Sequence, residues 1–485
     1  MTPIEGKIPT RLAFVHGLGS IAYGVKDNGF STFLLLFYNQ VLGMDAKLVG
    51  AALALALILD AFADPLIGHL SDRTYTRWGR RLPWLYIAPW PLALVWYSVW
   101  TASAGPDFWT LVLTAMAIRA LVSCCEVPSV ALVPELTRDY DERSRLMRFR
   151  YLFGWGGGLL IMMLGYTVFM GDDMLSAEGY RQYGLAGALM MLATVVISAL
   201  GQHRVAAHLP AIRPQPQALS AAFREIVETL RHPAFLVLLA AGALAYTSQG
   251  ITFTISNYLY LFVWQMQETT LSLGPLGSVN ALKFYPFFLF FSVVVTFFTV
   301  GGMHRRWGKR STGVVTAVLG MVFWVTPFIL RHFDLWWEAG SLASTLVLFG
   351  FIFASNVFSV AAMISASSMV ADVVEASEEE TGRRSEGTFF AGNFFMQKCA
   401  TGVGIFATGM LVDLAGMPEK AVPGQVAPEV IDRLALGYSL IVGVFAILIA
   451  LVLRRFPITR EDHAARLAAL AAAGRADPDA SGAHP

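Results

Sequence analysis

Long apolar runs recur along the whole chain, and only short polar segments separate them. Each run is close to or longer than the roughly 20 residues that an α-helix needs to cross about 30 Å of hydrocarbon. Twelve such runs cover residues 13–42, 47–70, 84–104, 108–136, 146–170, 183–202, 235–263, 276–302, 312–331, 340–371, 388–414 and 434–453. The pattern predicts an all-α integral membrane protein with twelve transmembrane helices. The first, fourth and tenth runs are long enough to tilt or to extend into the cytoplasm.

The composition agrees with a membrane protein and argues against other classes. Hydrophobic residues make up 56% of the chain, charged residues only 14%, and the mean hydropathy is +0.57. The net charge of +1 gives no reason to expect a nucleic-acid partner. No hydrolase, phosphate-binding or zinc-binding spacing occurs, so we expect no metal site, no catalytic residue and no enzyme activity. No cleavable signal peptide is expected, because the first span carries Lys26 and Asp27.

Basic residues concentrate in alternate loops, namely those that follow the even-numbered spans. They are Arg73, Arg77, Arg80, Arg81, Arg138, Arg143, Arg145, Arg148, Arg204, Arg213, Arg224, Arg231, Arg305, Arg306, Lys309, Arg310, Arg383, Arg384, Arg454 and Arg455. The other loops are acidic or nearly uncharged. By the positive-inside rule, this asymmetry predicts that the N- and C-termini both lie in the cytoplasm.

A short repeat divides the chain into two halves. The sequence RWGRR at 77–81, after the second span, recurs as RWGKR at 306–310, after the eighth. Twelve spans that repeat as six plus six predict two six-helix bundles related by an axis along the membrane normal. We therefore expect an N-terminal bundle at 1–202 and a C-terminal bundle at 234–455. A cytoplasmic linker with an amphipathic helix should occupy 203–233, and a partly disordered cytoplasmic tail should occupy 456–485.

Two acidic residues, Asp60 and Asp64, lie one helical turn apart within the second apolar span. An ionised carboxylate at that depth is costly unless it has a partner, so intramembrane acids usually line a pathway. Their spacing puts both on one helix face, where they can hold one cation or share one proton. The alternative is a purely structural arrangement in which basic groups on neighbouring helices neutralise the acids. A second acid makes that arrangement costlier, so we interpret the pair as a cation site.

Several longer stretches resemble a known family. They are DAFADP at 60–65, GHLSDRT at 68–74, WGRRLPW at 78–84, EVP at 126–128, VPELT at 133–137, MVADVV at 369–374 and TGRRSEGTFF at 381–390. On these segments the chain resembles the glycoside–pentoside–hexuronide:cation symporters of the major facilitator superfamily. The resemblance implies the major facilitator fold in a bacterial inner membrane. It also implies secondary active symport of a sugar or glycoside with a sodium ion or proton by alternating access.

The resemblance also implies roles for individual residues. It assigns the coupling cation to Asp60 and Asp64, and Ser123 on the fourth span can supply a further hydroxyl ligand. Residues implied in substrate binding are Asp27, Glu126, Arg150 and Lys398. These side chains are among the few ionisable groups within the spans, and such groups face a bundle interior or a wet cavity. Carboxylates can accept hydrogen bonds from neighbouring hydroxyls, and arginine offers a forked donor.

Two departures from the family pattern affect the expected ligands. Val130 stands where the family has an aromatic residue on which a sugar ring stacks, and Ala63 stands where it has an asparagine. The first difference argues against a galactoside and leaves a lysolipid or other amphiphile as an alternative substrate. The second removes an oxygen ligand and favours a proton over sodium.

The remaining expectations concern the loops, the partners and the function class. A loop position outside the hydrocarbon, where side chains can exchange partners as the two halves rock, suggests a conformational latch formed by Asp72, Arg73, Arg77, Arg80 and Arg81. We expect a monomer surrounded by membrane lipid, with a small-molecule substrate and no cofactor besides the coupling ion. A membrane enzyme or sensor would need a catalytic constellation that the sequence lacks. Lys26, Arg119 and Lys283 remain without an assigned role.

Overall fold

The computed structural model describes residues 7–102, 107–137, 139–171, 173–207, 233–272, 278–381 and 386–455. Over these residues the chain is almost entirely helical, and one short antiparallel hairpin pairs Thr270–Ser272 with Ser278–Asn280. Most of the predicted linker at 203–233, including its amphipathic helix, and the predicted tail at 456–485 lie outside the described residues.

Twelve helical segments follow one another in the described residues, and we number them α1 to α12. They are α1 (Thr10–Leu18, Ile21–Asn28, then Gly29–Phe33, Leu34–Leu36 and Phe37–Val41), α2 (Ala46–Asp72), α3 (Leu82–Ile87 and Pro89–Trp100), α4 (Phe108–Leu136), α5 (Tyr140–Leu164, continued by Gly165–Phe169), α6 (Ala177–Ala206), α7 (Pro233–Tyr258, continued by Leu259–Val263), α8 (Ala281–Phe284 and Tyr285–Trp307), α9 (Lys309–His332), α10 (Leu342–Thr381), α11 (Glu386–Ala415) and α12 (Pro428–Leu453). Each coincides with one of the predicted apolar spans.

Ten of these helices, α2 and α4 to α12, are long and apolar enough to cross a membrane without interruption. The other two, α1 and α3, are broken. In α3 the break lies at Ala88, because Pro89 has no amide hydrogen to continue the helical ladder. In α1 it lies at Gly19 and Ser20, where the backbone passes close to α6: a Cβ added at Gly19 would meet the Ser198 hydroxyl at 3.0 Å.

The helices divide into two packed groups. Apart from the extensive packing of α2 on α11, helices α1 to α6 pack mainly on one another, and α7 to α12 do the same. The main contacts between the groups are those of α2 with α11, of α1 with α7 and of α5 with α8. This arrangement confirms the predicted major facilitator fold with two six-helix bundles.

Small residues bring α2 and α11 into backbone contact. A Cβ added at Gly409 would lie 2.4 Å from the Ala46 carbonyl oxygen, and one added at Gly50 would lie 3.1 Å from the Ile405 carbonyl oxygen. Such close approach is possible only without side chains, as in other membrane helix pairs. The contact lies near the beginning of α2, at the end of the molecule away from the α2–α3 turn. We call the end with the α2–α3 turn the arginine-rich end, and the other the opposite end.

Candidate functional site

The two acids of α2 lie on one helix face, as their spacing predicts, and share a hydroxyl from α4. The Oγ of Ser123 donates to Oδ1 of Asp64 at 2.6 Å and lies 3.3 Å from Oδ1 of Asp60. Asp60 is buried, whereas the side chain of Asp64 is 35% exposed. Asp64 lies one turn nearer the arginine-rich end, so the more exposed acid of the pair is the one nearer that end.

A lysine from the other bundle contacts both acids. The Nζ of Lys398 on α11 lies 2.9 Å from Oδ2 of Asp60 and 2.6 Å from Oδ2 of Asp64. The resemblance grouped Lys398 with the substrate-binding residues. In the structure its ammonium group lies on the acid pair, so one charge links the two bundles at their interface.

An arginine that the sequence reasoning left unassigned completes the cluster. The Nη1 of Arg119 on α4 lies 3.6 Å from Oδ2 of Asp60, and the guanidinium lies over the Phe30 ring, 4.6 Å from its centroid. Arg119 is only 4% exposed. Its position four residues before Ser123, and hence on the same face of α4, is the sequence signal that could have identified it.

A second cluster joins α4 to α5. The Nη2 of Arg150 lies 2.5 Å from Oε1 of Glu126, and its Nη1 lies 2.5 Å from the Ser129 hydroxyl. Arg150 is buried, but the side chain of Glu126 remains 29% exposed. The arginine therefore holds a carboxylate that still has an oxygen accessible to a ligand.

Asp27 lies in a third position, on α1. Its Oδ1 is 3.4 Å from the ammonium of Lys26, and its side chain is 55% exposed. The Lys26 ammonium also lies over the Tyr23 ring, 4.4 Å from the centroid. The described contacts therefore join Asp60, Asp64, Ser123 and Lys398 in one group and Glu126 and Arg150 in another, while Asp27 pairs with Lys26.

The charges of these groups balance. Four carboxylates and four basic side chains occupy the region, and each basic group lies within 4.0 Å of a carboxylate oxygen. They are Asp27, Asp60, Asp64 and Glu126, with Lys26, Arg119, Arg150 and Lys398. Buried charges are stable only when paired, so a change in the charge of one member disturbs its partner.

Buried amides join the bundles between this cluster and the opposite end. The amide of Gln40, in the last turn of α1, donates to the Pro418 carbonyl at 3.0 Å and accepts from the Ala421 amide at 2.8 Å. The Tyr258 hydroxyl on α7 donates to Oδ1 of Asn39 at 2.8 Å. These contacts tie α1 to α7 and to the loop between α11 and α12. We give one name, the amide gate, to the five residues Asn39, Gln40, Tyr258, Pro418 and Ala421.

A further polar contact lies nearer the centre. The side chain of Asn257 on α7 donates to the Thr32 carbonyl at 2.7 Å and accepts from the Tyr166 hydroxyl at 2.5 Å. One amide thus joins α7 to both α1 and α5. Sequence reasoning did not identify this contact or the amide gate, since amides near the ends of apolar spans are also common at a membrane interface.

The five latch residues have different surroundings. The guanidinium of Arg81 contacts Asp72, and its Nη1 donates to the Ser71 hydroxyl at 2.6 Å. Arg80 and Arg81 both contact Oε1 of Glu135 on α4, at 2.8 and 3.0 Å. These contacts stay within the N-terminal bundle, and Glu135 is a partner that the sequence reasoning missed.

The other two latch residues are exposed. Arg73 lies at the end of α2, and the guanidinium of Arg77 lies over the Trp78 ring, 5.0 Å from its centroid. Lys283, which had no assigned role, lies in the first turn of α8. Its Nζ lies 4.0 Å from the position that a Cβ added to Gly171 would occupy, where α5 and α8 come into contact.

Comparisons with known proteins agree with this architecture. A family described as MFS/sugar transport protein matches residues 15–460. An uncharacterised symporter from Synechocystis, sll1374, is 28% identical, over 94% of this chain and 95% of its own. The isoprimeverose transporter of Lactiplantibacillus pentosus is 25% identical, over 85% of this chain and 82% of its own.

Among solved structures, a bacterial homologue of the human lysosomal transporter Spinster, in an inward-facing and unoccupied conformation, has a similar fold. Its TM-score is 0.64 at 13% identity, over 94% of this chain and 100% of the other. The fold, the family match and the relatives identify a multi-pass protein of the bacterial inner membrane that transports sugar-type substrates and is not an enzyme. The chain belongs to the MFS/sugar transport family, within the glycoside–pentoside–hexuronide:cation symporters of the major facilitator superfamily.

Proposed function

We propose that this protein couples the movement of a cation, through Asp60 and Asp64, to the uptake of a neutral sugar or glycoside by alternating access. The observation that carries the proposal is the position of Lys398. Its ammonium comes from the C-terminal bundle and lies 2.9 and 2.6 Å from the two acids of the N-terminal bundle. A transported cation has to replace this internal cation at one or both acids.

This replacement supplies the coupling. While the acids are ionised, Lys398 is attracted to both and holds α11 against α2. A cation that neutralises one acid weakens that attraction and changes how the bundles fit together at the site. Binding energy that differs between two bundle arrangements is what shifts their populations. Ion binding at the acid pair therefore alters the equilibrium between the two access states.

The second part of the proposal concerns the substrate. The side chains of Asp27 and Glu126 are 55% and 29% exposed, and their carboxylates suit a ligand with several hydroxyl groups. Since each basic group already lies within 4.0 Å of a carboxylate oxygen, the site favours a neutral polyol over an anion. One relative is an isoprimeverose transporter, and its sugar-type substrate supports the same choice.

A binding panel tests the substrate. We expect calorimetry on the purified protein to detect neutral glycosides, and Asp27→Asn and Glu126→Gln each to weaken binding by at least about tenfold. The reason is that a hydrogen bond to a charged group contributes roughly 1.5–3 kcal/mol. Gln182→Ala, on the exposed face of α6, is the control and should leave affinity unchanged.

The same panel includes a lysolipid, because Val130 is 39% exposed and would enlarge an apolar surface near Glu126. Sugar affinities that are unchanged in both acid variants, together with saturable lysolipid binding, would replace the sugar proposal with an amphiphile carrier. Uptake into proteoliposomes with and without an imposed ion gradient then tests the coupling separately from the substrate.

A further inference from the structure

Arg119 lies on the buried side of the acid pair, where a metal ion would need free oxygen ligands. Its Nη1 is 3.6 Å from Oδ2 of Asp60, the same oxygen that Lys398 contacts at 2.9 Å. Asp60 itself is only 3% exposed, whereas the side chain of Asp64 is 35% exposed, so an ion that enters from solvent meets Asp64 first. One carboxylate oxygen of the pair is therefore shared between two internal cations.

The arginine is fixed as well as charged. Its guanidinium lies over the Phe30 ring at 4.6 Å, and Phe30 is buried in α1. Among the described residues, the Nε of Arg119 is buried without a hydrogen-bond partner, so the side chain is held by Asp60 and the ring. An arginine keeps its charge in proteins, and a cation over an aromatic face is stabilised without water. Lys398 is different, because its side chain is 21% exposed and therefore more accessible to solvent.

A bound sodium ion would be repelled by this fixed charge. It would also find few oxygen atoms, because the described ligands nearby are those of Asp60, Asp64 and Ser123, and Ala63 supplies no side-chain oxygen. Like charges a few ångströms apart in a partly buried site repel strongly enough to lower ion affinity by more than tenfold. The basic groups that act on Asp60 are Lys398 from α11, Arg119 from α4 and Lys26 from α1.

We propose that Arg119 is the ion-selectivity residue of this symporter: it acts as a built-in cation beside Asp60 and excludes sodium from the acid pair. The inference rests on the proposed cation coupling and specifies its ion. With sodium excluded, the ion that drives transport is the proton, which needs no shell of oxygen ligands and can bind to Asp64, the more exposed acid of the pair.

Sodium binding to the full-length purified protein tests the proposal directly, with radioactive sodium as the probe and choline in the comparison buffer. We expect no saturable sodium binding to the wild type. Arg119→Gln should bind sodium saturably, at a concentration at least about tenfold below the highest at which the wild type is tested, because the repelling charge is gone. Arg119→Lys keeps a positive charge at the same position and should remain like the wild type.

A further variant separates the arginine from the missing oxygen ligand. Ala63→Asn adds a side-chain oxygen next to Asp64 while Arg119 stays in place, and it should still not bind sodium. Saturable sodium binding to the wild type, or to Ala63→Asn alone, would overturn the proposal. So would folded Arg119→Gln protein that binds no more sodium than the wild type.

Removal of a buried arginine can impair folding, so Arg119→Met, which keeps the apolar length of the side chain, is the second variant. If neither variant yields folded protein, the wild type and Ala63→Asn still decide the question. Sodium binding is measured without sugar, and sugar uptake is measured separately. If the wild type shows no ion-driven sugar uptake, the proposed function is refuted, and the result for sodium binding stands unchanged.

Discussion

Lys398 and Asp64 form an ion pair across the interface of the two bundles, with 2.6 Å between Nζ and Oδ2. The lysine lies on α11 and the acid on α2, the same two helices that meet through glycine at the opposite end. Asp60 shares the lysine but is buried, and it has Arg119 as a further partner. The two acids, although only one turn apart, therefore have different environments.

Neutral variants of Asp60 and Asp64 should both lose coupling but should differ in stability. Asp60→Asn leaves Arg119 with a neutral partner in a buried site, and breaking such a pair costs roughly 3–5 kcal/mol. Asp64→Asn should cost less stability, because the side chain of Asp64 is 35% exposed. Both variants should lose gradient-driven accumulation. Thermal unfolding and proteoliposome uptake measure the two effects. Normal accumulation by folded Asp64→Asn protein would contradict the proposed cation site.

Lysine should not be able to replace Arg150 in sugar binding. Its two terminal nitrogens contact Glu126 and Ser129 at once, and a lysine can offer only one ammonium group. We expect Arg150→Lys to weaken sugar binding by about tenfold, because Glu126 is no longer held in place. Calorimetry measures the change, and Ser129→Ala, which removes only one of the two partners, should have a smaller effect. An equal loss in both variants would argue that Arg150 acts through Ser129 alone.

The amide gate should control access at the opposite end. Gln40→Ala removes the contacts with Pro418 and Ala421, each worth roughly 0.5–1.5 kcal/mol. We expect the gate to open more often. The reporter is Thr32→Cys, made in a variant with serine at the three native cysteines. With Gln40→Ala added, this cysteine should react several-fold faster with a membrane-impermeant thiol reagent applied from outside than it does without Gln40→Ala. Gln182→Ala is the matched control. Identical labelling rates in the two variants would exclude a gating role for Gln40.

The orientation of the chain in the membrane can be measured directly. Basic loops follow the even-numbered helices, so reporters fused after Arg81 and after Arg310 should both read cytoplasmic. Reporters fused after Glu338 and after Gly424, in the intervening loops, should read periplasmic. A periplasmic signal after Arg81 or Arg310 would invert the predicted topology and reverse the side to which Asp64 is exposed.

The apolar pattern predicted the helices well because roughly 20 apolar residues have few alternatives to crossing the bilayer. It did not predict the breaks at Gly19 and Ala88. The break at Gly19 accompanies close packing against Ser198, which has no signature in the local sequence. The break at Ala88 follows from Pro89, a local signal that the long apolar run obscured.

The common face of Asp60, Asp64 and Ser123 could be expected from helical spacing and from the cost of burying a charge. The partners of Lys398 could not be expected in this way. Residues that meet at the interface of the two bundles are far apart in the sequence, and helical spacing carries no information on such contacts. The same limit hid the contacts of Gln40 with the loop between α11 and α12. Arg119 was visible as a charge in an apolar span, and its spacing from Ser123 places both on one face of α4, but its distance from Asp60 comes from the structure.

The balance of four acids and four bases has a consequence for energy use. In the proposed cycle, the empty carrier has no net formal charge in its central cluster, whereas the carrier loaded with one cation and a neutral sugar has one positive charge there. An inside-negative membrane voltage therefore drives the loaded carrier inward, by about 2.3 kcal/mol for each 100 mV if the charge crosses the whole field. The empty carrier returns without opposing that voltage, so voltage alone, without any concentration gradient of the ion, should suffice to accumulate substrate.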